Sequence, residues 1–340
     1  FPPASGDVCA GAEADFNGPM TPKDLNDHLD EVLRRALAED LGMEVRAGTP
    51  TEDLVQQDVT TRTAVGEGVA GRATLIAKEA GVFAGGSAFE RILRMLDPDA
   101  RVDAMVRDGQ LIVPGDIVLH ARGDARALLV AERTALNLVQ RMSGIASRTR
   151  AAVERVEGTR ASILDTRKTA PGLRYLDKYA VRVGGGVNHR IGLFDEAMVK
   201  ENHIDLSGRS VETLLADLRA DLGAGFTITC EARDGVEAEA AVRGGADVVL
   251  LDNMTPSELS ALIPTLRALA EERGRPVALE ASGGITLDTL PAVAETGVDR
   301  ISMGELTHSP PALDLSLQLV FDGDLNGPSS EVTCIQSADG

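Results

Sequence analysis

The chain has 340 residues, which suits two domains or one large barrel with a smaller unit beside it. Its formal net charge of −19 excludes general nucleic-acid or anionic-membrane binding, because both need a basic surface. Three cysteines, with no CxxC or Cys/His cluster, support neither a disulfide framework nor a zinc site.

Residues 1–20 are rich in Ala, Gly, Pro and Asp and show no periodicity, so a flexible tail is expected. They lack a basic n-region and an apolar h-region, and no apolar run approaches the roughly 20 residues that span a bilayer. The expectation is a soluble, cytoplasmic protein. Over residues 24–40 the apolar positions Leu25, Leu29, Val32, Leu33 and Leu37 keep a helical spacing. Two strand-like stretches follow, GVAGRATLIAKEAGVFAGG and VDAMVRDGQLIVPGDIVLHARG, the second with DG and PGD turn signals that predict antiparallel hairpins. SAFERILRML between them reads as a helix. These elements predict an α+β unit, placed at residues 21–131.

The pattern then changes. ERTALNLVQRMSGIASRTRAAVERV predicts a long helix. Beyond it, apolar runs that each end in a polar residue recur every 20–30 residues or so, most followed by a helix-like stretch. Repeated βα units of this kind predict a parallel α/β barrel, placed at residues 132–308. Residues 309–322 are expected to form a helix packing back on the first domain, and 323–340 a second flexible tail.

Barrel active sites form at the C-terminal ends of the strands. The predicted strand ends supply Asp165, Arg167 and Lys168, then Lys200, Glu231, Asp252, Glu280 and Ser282, Ser302 and Gly304. SGGI (282–285) and SMGE (302–305) are small Gly-containing turns whose backbone N–H groups suit a phosphate. Glu231 and Asp252 end adjacent strands and could bind Mg²⁺, act as an acid/base pair, or pair with Arg233. Residues 165–200 hold seven Lys or Arg against four Asp or Glu, so positive charge gathers here in an acidic chain. Arg167, Lys168, His189 and Arg190 predict an anion pocket, with the glycines of GGGVNHR letting backbone approach a ligand. Arg174, Lys178 and Arg182 fall on a predicted helix and are expected at the surface or a subunit interface. From the residues alone, the chain reads as a barrel enzyme that binds a phosphorylated substrate, with Mg²⁺, beside a second polyanion.

AERTALNLVQRMSGIAS, DTRKTAPGLRYLDKYAVRVGGGVNHRIGLFDEAMVKENHI, CEARD, LLDNM, LEASGGI and GVDRISMGELTHS together resemble the quinolinate phosphoribosyltransferase family over roughly residues 24–320. The resemblance implies a type II phosphoribosyltransferase-like fold: an N-terminal α/β sandwich plus a C-terminal open parallel α/β barrel. It implies transfer of phosphoribosyl from phosphoribosyl pyrophosphate (PRPP) to quinolinate with loss of CO₂, in NAD biosynthesis. It implies Mg²⁺ and a homodimer or larger homo-oligomer with shared active sites. By motif, Arg133 contacts quinolinate across the subunit interface, and Arg167, His189 and Arg190 hold its carboxylates. Lys168 and Lys200 lie between the two substrates, Glu231 and Asp252 bind the ribose hydroxyls and the metal, and Ser282, Gly283 and Gly304 cradle the 5′-phosphate. One alternative is a paralogue using nicotinate or another anionic acceptor. Another is an aldolase-type barrel with Lys200 as Schiff base.

Overall fold

The computed structural model describes residues 22–321; the expected tails at 1–20 and 323–340 lie outside the described residues. The described chain divides into two units. One comprises Ala151–Arg174 and Gly185–His308, the other Asn26–Arg150, Tyr175–Gly184 and residues 309–321.

The strands of the second unit are β1 (Ala70–Ala77), β2 (Gly81–Val82), β3 (Arg101–Ala104), β4 (Leu111–Ile112) and β5 (Ile117–Asp124). The first unit contributes β6 (Ser162–Leu164), β7 (Ala197–Val199), β8 (Ile228–Ala232), β9 (Val248–Asp252), β10 (Ala278–Ser282) and β11 (Arg300–Ser302), before β12 (Leu315–Phe321) returns to the second. The second unit holds an antiparallel sheet in the order β12-β1-β5-β3, and β2 pairs with β4. One face of that sheet is apolar and buried through Ala73, Leu75, Ala77, Leu119 and Ala121. The helix Gly86–Leu96 buries Ala88, Phe89, Ile92, Leu93 and Leu96, the stripe that a helix of period 3.6 offers a core.

Residues 309–322 differ from expectation. They form no helix: β12 runs antiparallel to β1, from Ala77↔Leu315 to Gly71↔Phe321. The physical reason is visible in LSLQLVF, where Leu315, Leu317 and Leu319 alternate with period 2 rather than 3.6. The division of the chain also falls elsewhere than at 131/132. The long helix Ala125–Arg155 lies in the second unit as far as Arg150, and Tyr175–Gly184 lies there too.

The glycine run 184–186 has a packing role at its first residue. A Cβ on Gly184 would sit 2.5 Å from the Ala146 carbonyl oxygen and 2.6 Å from Thr149 Cβ, so its small size lets this turn close against the long helix. Lys178, expected at the surface or a subunit interface, is fully buried beside Asp177, which takes a two-pronged hydrogen bond from Arg141 at 2.8 and 2.7 Å.

The first unit is a six-stranded parallel sheet in the order β6-β11-β10-β9-β8-β7. Strand β8 is buried along its whole length and β9 in all but its last residue, as expected of a parallel sheet covered on both faces. Helices Val211–Leu222, Gly235–Gly244, Pro256–Arg273 and Leu290–Ala294 alternate with the strands. Strands β6 and β7 end the order without pairing with each other. On the side of β6 away from β11, the described residues make one parallel bridge, Leu164↔Val187, so the barrel is open there and residues 187–190 run along the gap.

Gly184→Ala is expected to destabilise the protein by about 1–3 kcal/mol, because the added methyl meets helix backbone rather than open space. A thermal unfolding midpoint unchanged from the unmodified protein would contradict this packing role.

Candidate active site

All the strands of the open barrel point their C-terminal ends the same way, and the polar residues expected at strand ends gather there. Register sets their heights: Ser282 is level with Asp252, and Glu231 is level with Leu250, two residues further down.

The acidic side of the rim is built on β8 and β9. Glu231 is buried, and Lys200 Nζ donates to its Oε2 at 2.9 Å from the residue that follows β7. Burial pushes the Glu231 carboxyl above the usual carboxylate range; Lys200 draws it back, while Glu201 and Asp252 push it up again. Glu201 was not among the expected site residues, because it lies one position past a strand end, at the start of the helix Glu201–Ser207. Its own carboxyl is held below the ordinary value, first through its interaction with the neighbouring Glu231 carboxyl. Arg233 takes no part: it pairs with Glu237 and Asp205. Of the three readings open for Glu231 and Asp252, pairing with Arg233 is therefore removed.

The basic side starts from the open edge of the barrel. Asp165, just past β6, is fully buried; it accepts from the His189 N–H at 2.9 Å and from Asn188 Nδ2 at 2.5 Å. Those bonds fix residues 188–190 against the barrel. Arg190 is 7% exposed, and its guanidinium donates to the Glu196 carbonyl at 3.1 Å and to Met198 Sδ at 3.5 Å. Burial lowers its proton affinity, and the nearby charge of Arg167 lowers it further. Two guanidiniums brought within mutual repulsion, one of them desolvated, are arranged for an anion between them. Arg167 and Lys168 are exposed on the loop after β6. Arg174 stiffens this wall, donating to Thr169 Oγ1 at 3.1 Å and to the Ile191 carbonyl at 3.0 Å.

His189 is brought to the same wall but is only 5% exposed. Its Nδ1 accepts the Arg190 N–H at 2.8 Å, and its Nε2 lies 3.4 Å from Glu280 Oε1. Glu280 is not a rim residue. It is wholly buried below the rim, with Arg300 Nε 2.8 Å from its Oε2. Burial alone would push the Glu280 carboxyl up, but His189, Arg300 and Ser302 hold it down at about 2.

The turns after β10 and β11 complete the rim. Gly283 has φ +100°, a conformation that favours glycine, and a Cβ there would lie 2.2 Å from Asn253 Oδ1 and 2.9 Å from Asn253 N. Asn253 itself has φ 55°, and its N–H donates to the Ser282 carbonyl at 2.8 Å, so the turns after β9 and β10 interlock. Lys168 lies over Gly304: a Cβ at that glycine would be 2.8 Å from Lys168 Cδ and 3.2 Å from His308 Cδ2. Thr307 Oγ1 donates to the Lys168 carbonyl at 2.9 Å, tying the loop after β6 to the turn after β11. His308 is a second residue the sequence reading passed over, since it sits a helical turn beyond the strand end.

One unit therefore assembles Arg167, Lys168, His189, Arg190, Lys200, Glu231, Asp252, Ser282, Gly283 and Gly304. Arg133 belongs to the other unit, exposed on the long helix.

The same two-part organisation appears in comparisons with known proteins. Residues 58–143 match the N-terminal domain of quinolinate phosphoribosyl transferase, and residues 145–318 match its C-terminal domain. The chain belongs to the quinolinate phosphoribosyltransferase family. It is 41% identical over 275 residues to the probable carboxylating nicotinate-nucleotide pyrophosphorylase of Bacillus subtilis, covering 80% of this chain and 91% of that one. It is 41% identical over 296 residues to the carboxylating nicotinate-nucleotide pyrophosphorylase of Mycobacterium leprae, covering 85% and 96%. The solved nicotinate-nucleotide pyrophosphorylase of Francisella tularensis superposes with a TM-score of 0.75 at 32% identity, over 91% of this chain and 100% of that one. In this quinolinate phosphoribosyltransferase chain every rim residue falls within the C-terminal match, and Arg133 within the N-terminal one.

Proposed function

We propose that the chain transfers the phosphoribosyl group of PRPP to quinolinate, giving nicotinate mononucleotide, pyrophosphate and CO₂ for NAD biosynthesis. Among the geometric observations, one carries the reading furthest. A single barrel rim joins a partly desolvated guanidinium pair, a lysine-bound carboxylate cluster and two glycine turns, which is what two anionic reactants and a developing cation need.

Arg190 and Arg167 hold the two carboxylates of quinolinate, and Lys168 and Lys200 stand between acceptor and donor. Loss of pyrophosphate leaves positive charge on the ribose ring, which Glu231 and Asp252 stabilise electrostatically. The pyridine nitrogen attacks C1. Once ribosylated, that nitrogen is cationic and stabilises the electron pair left when the adjacent carboxylate departs as CO₂. Holding the reactants in line supplies much of the rate. Ser282, Gly283 and Gly304 receive the 5′-phosphate.

Glu231, Asp252 and the adjacent Glu201 offer only carboxylate oxygens, the donor class that Mg²⁺ takes. Burial first, and then the acidic neighbours Glu201 and Asp252, raise the Glu231 carboxyl, and a cation would offset both. Among the described residues no group of three or more metal-ligating side chains is preformed, so the ion would be held jointly by Glu231, Asp252 and the substrate. When bound, Mg²⁺ would neutralise charge on the departing pyrophosphate.

The aldolase-type alternative needs Lys200 as a free amine, whereas its Nζ is committed to Glu231. A nicotinate-specific paralogue would leave one of the two guanidiniums without a carboxylate. The acceptor pocket is completed by Arg133 of a second copy of the chain. No helix among the described residues is long and apolar enough to cross a membrane.

PRPP-dependent release of CO₂ from quinolinate tests the reading. With Mg²⁺ present, quinolinate is expected to give equimolar CO₂ and pyrophosphate, and nicotinate to give no nucleotide. Turnover of nicotinate in preference to quinolinate would overturn it. For the shared site, Arg133→Ala and Lys168→Ala proteins are each expected to be nearly inactive, and to regain about a quarter of full activity once mixed and re-equilibrated. That fraction follows from half the dimers being mixed and each mixed dimer holding one intact site. No recovery in confirmed mixed dimers would show that each chain builds its own site.

A further inference from the structure

The proposed mechanism leaves unused a buried ionic group beneath the acceptor pocket. Glu280 lies in the middle of β10, fully enclosed, with Arg300 as its register partner on β11. One carboxylate oxygen meets Arg300 Nε at 2.8 Å and the other lies 3.4 Å from His189 Nε2. The opposite ring nitrogen, Nδ1, accepts the Arg190 main-chain N–H at 2.8 Å. An imidazole that accepts at Nδ1 carries its proton on Nε2, and here Nε2 lies 3.4 Å from Glu280 Oε1, within charge contact though not in hydrogen-bond alignment. Arg190 is consequently fastened at both ends. Its backbone is held by His189, and its guanidinium by the carbonyl of Glu196, whose carboxylate takes the Thr229 hydroxyl at 2.6 Å.

We propose that Glu280, acting through the His189 tautomer, is a positioning residue for the acceptor dicarboxylate: it orients Arg190 without touching either substrate. The inference rests on the functional reading above and adds to it a direction of control. Glu280 selects the Nε2–H form of His189, that form leaves Nδ1 free to hold the Arg190 N–H, and Arg190 then presents its guanidinium in one orientation.

A merely structural role would act differently. Ser282, in the turn assigned to the 5′-phosphate, lies two residues beyond Glu280 on the same strand. Loosening β10 would therefore weaken the hold on PRPP as much as the hold on quinolinate.

Steady-state kinetics of Glu280→Gln, with both substrates varied, separates the two. The KM for quinolinate is expected to rise about tenfold, a typical magnitude for coupled buried groups. The KM for PRPP should stay within about twofold. In an Arg190→Ala background the same Glu280→Gln change should alter the quinolinate KM by less than about twofold, because the residue it acts on is gone. An equal rise in both KM values, or the same multiplication of the quinolinate KM in both backgrounds, would overturn the proposal. If Glu280→Gln fails to fold, Glu280→Asp takes its place, with the same outcomes expected.

A readout independent of turnover accompanies it. In protein labelled with ¹⁵N-histidine, the His189 ring, assigned by its loss in His189→Gln, should carry its proton on Nε2. A proton on Nδ1 in protein that turns over quinolinate overturns this inference and leaves the functional reading standing. Absence of any quinolinate turnover in the unmodified protein rejects that reading and this inference with it, whatever the tautomer.

Discussion

Three buried carboxylates, Asp165, Glu196 and Glu280, decide where positive charge can collect in this acidic chain. None is open to solvent. Asp165 accepts from the Asn188 side-chain amide and the His189 main-chain N–H, Glu280 meets His189 and Arg300, and Glu196 is tied to Thr229 while its carbonyl receives Arg190. Removing one partner of such a set would leave a buried charge uncompensated, which is far more costly than losing a surface ion pair. The arrangement therefore holds a desolvated arginine in one place, and the remaining basic residues of the pocket are disposed around it. Glu231 plays a related part on the opposite side of the rim, where burial and its acidic neighbours raise its carboxyl and Lys200 offsets them.

The open barrel makes this arrangement possible. Because β6 and β7 do not pair, the segment 187–190 can run alongside β6 at the level of Asp165. A closed sheet would put a strand there, and its alternating side chains would not place His189 and Arg190 as consecutive members of one wall. The late turns solve a different problem. Gly283 and Asn253 interlock through backbone conformations with positive φ, leaving the turns after β9 and β10 small and their order fixed.

Much of this was legible in the sequence, because a parallel strand announces its end with a polar residue after an apolar run. Lys200, Glu231, Asp252 and Ser282 were located in that way. What escaped lies off the strand ends or below them. Glu201 and His308 follow on helices, so no periodic signal marks them. Glu280 was named among the strand ends, but it lies two residues short of the end of β10, and its burial beside Arg300, twenty residues away, left no signal. The glycine run at 184 was read as a ligand approach, whereas Gly184 serves helix packing; sequence cannot say which neighbour a missing Cβ makes room for. Lys178, on a predicted helix, was assigned to the surface or a subunit interface, yet it is buried. The alternation of leucines at 315, 317 and 319 did carry the signal for β12, and reading it as a helix ignored the period. The match of the motif blocks to a known family supplied Arg133, which no spacing argument could reach.

The central claim is that a locally basic pocket, held from beneath by buried carboxylates, distinguishes a dicarboxylate from a monocarboxylate. The most direct test is calorimetric measurement of quinolinate and nicotinate affinities for the unmodified and Arg190→Ala proteins under the same ionic conditions. The unmodified protein is predicted to prefer quinolinate by about a hundredfold or more, and Arg190→Ala to lose most of that preference, as expected when one member of a desolvated charge pair is removed. An Arg190→Ala protein that keeps the full preference would contradict the account.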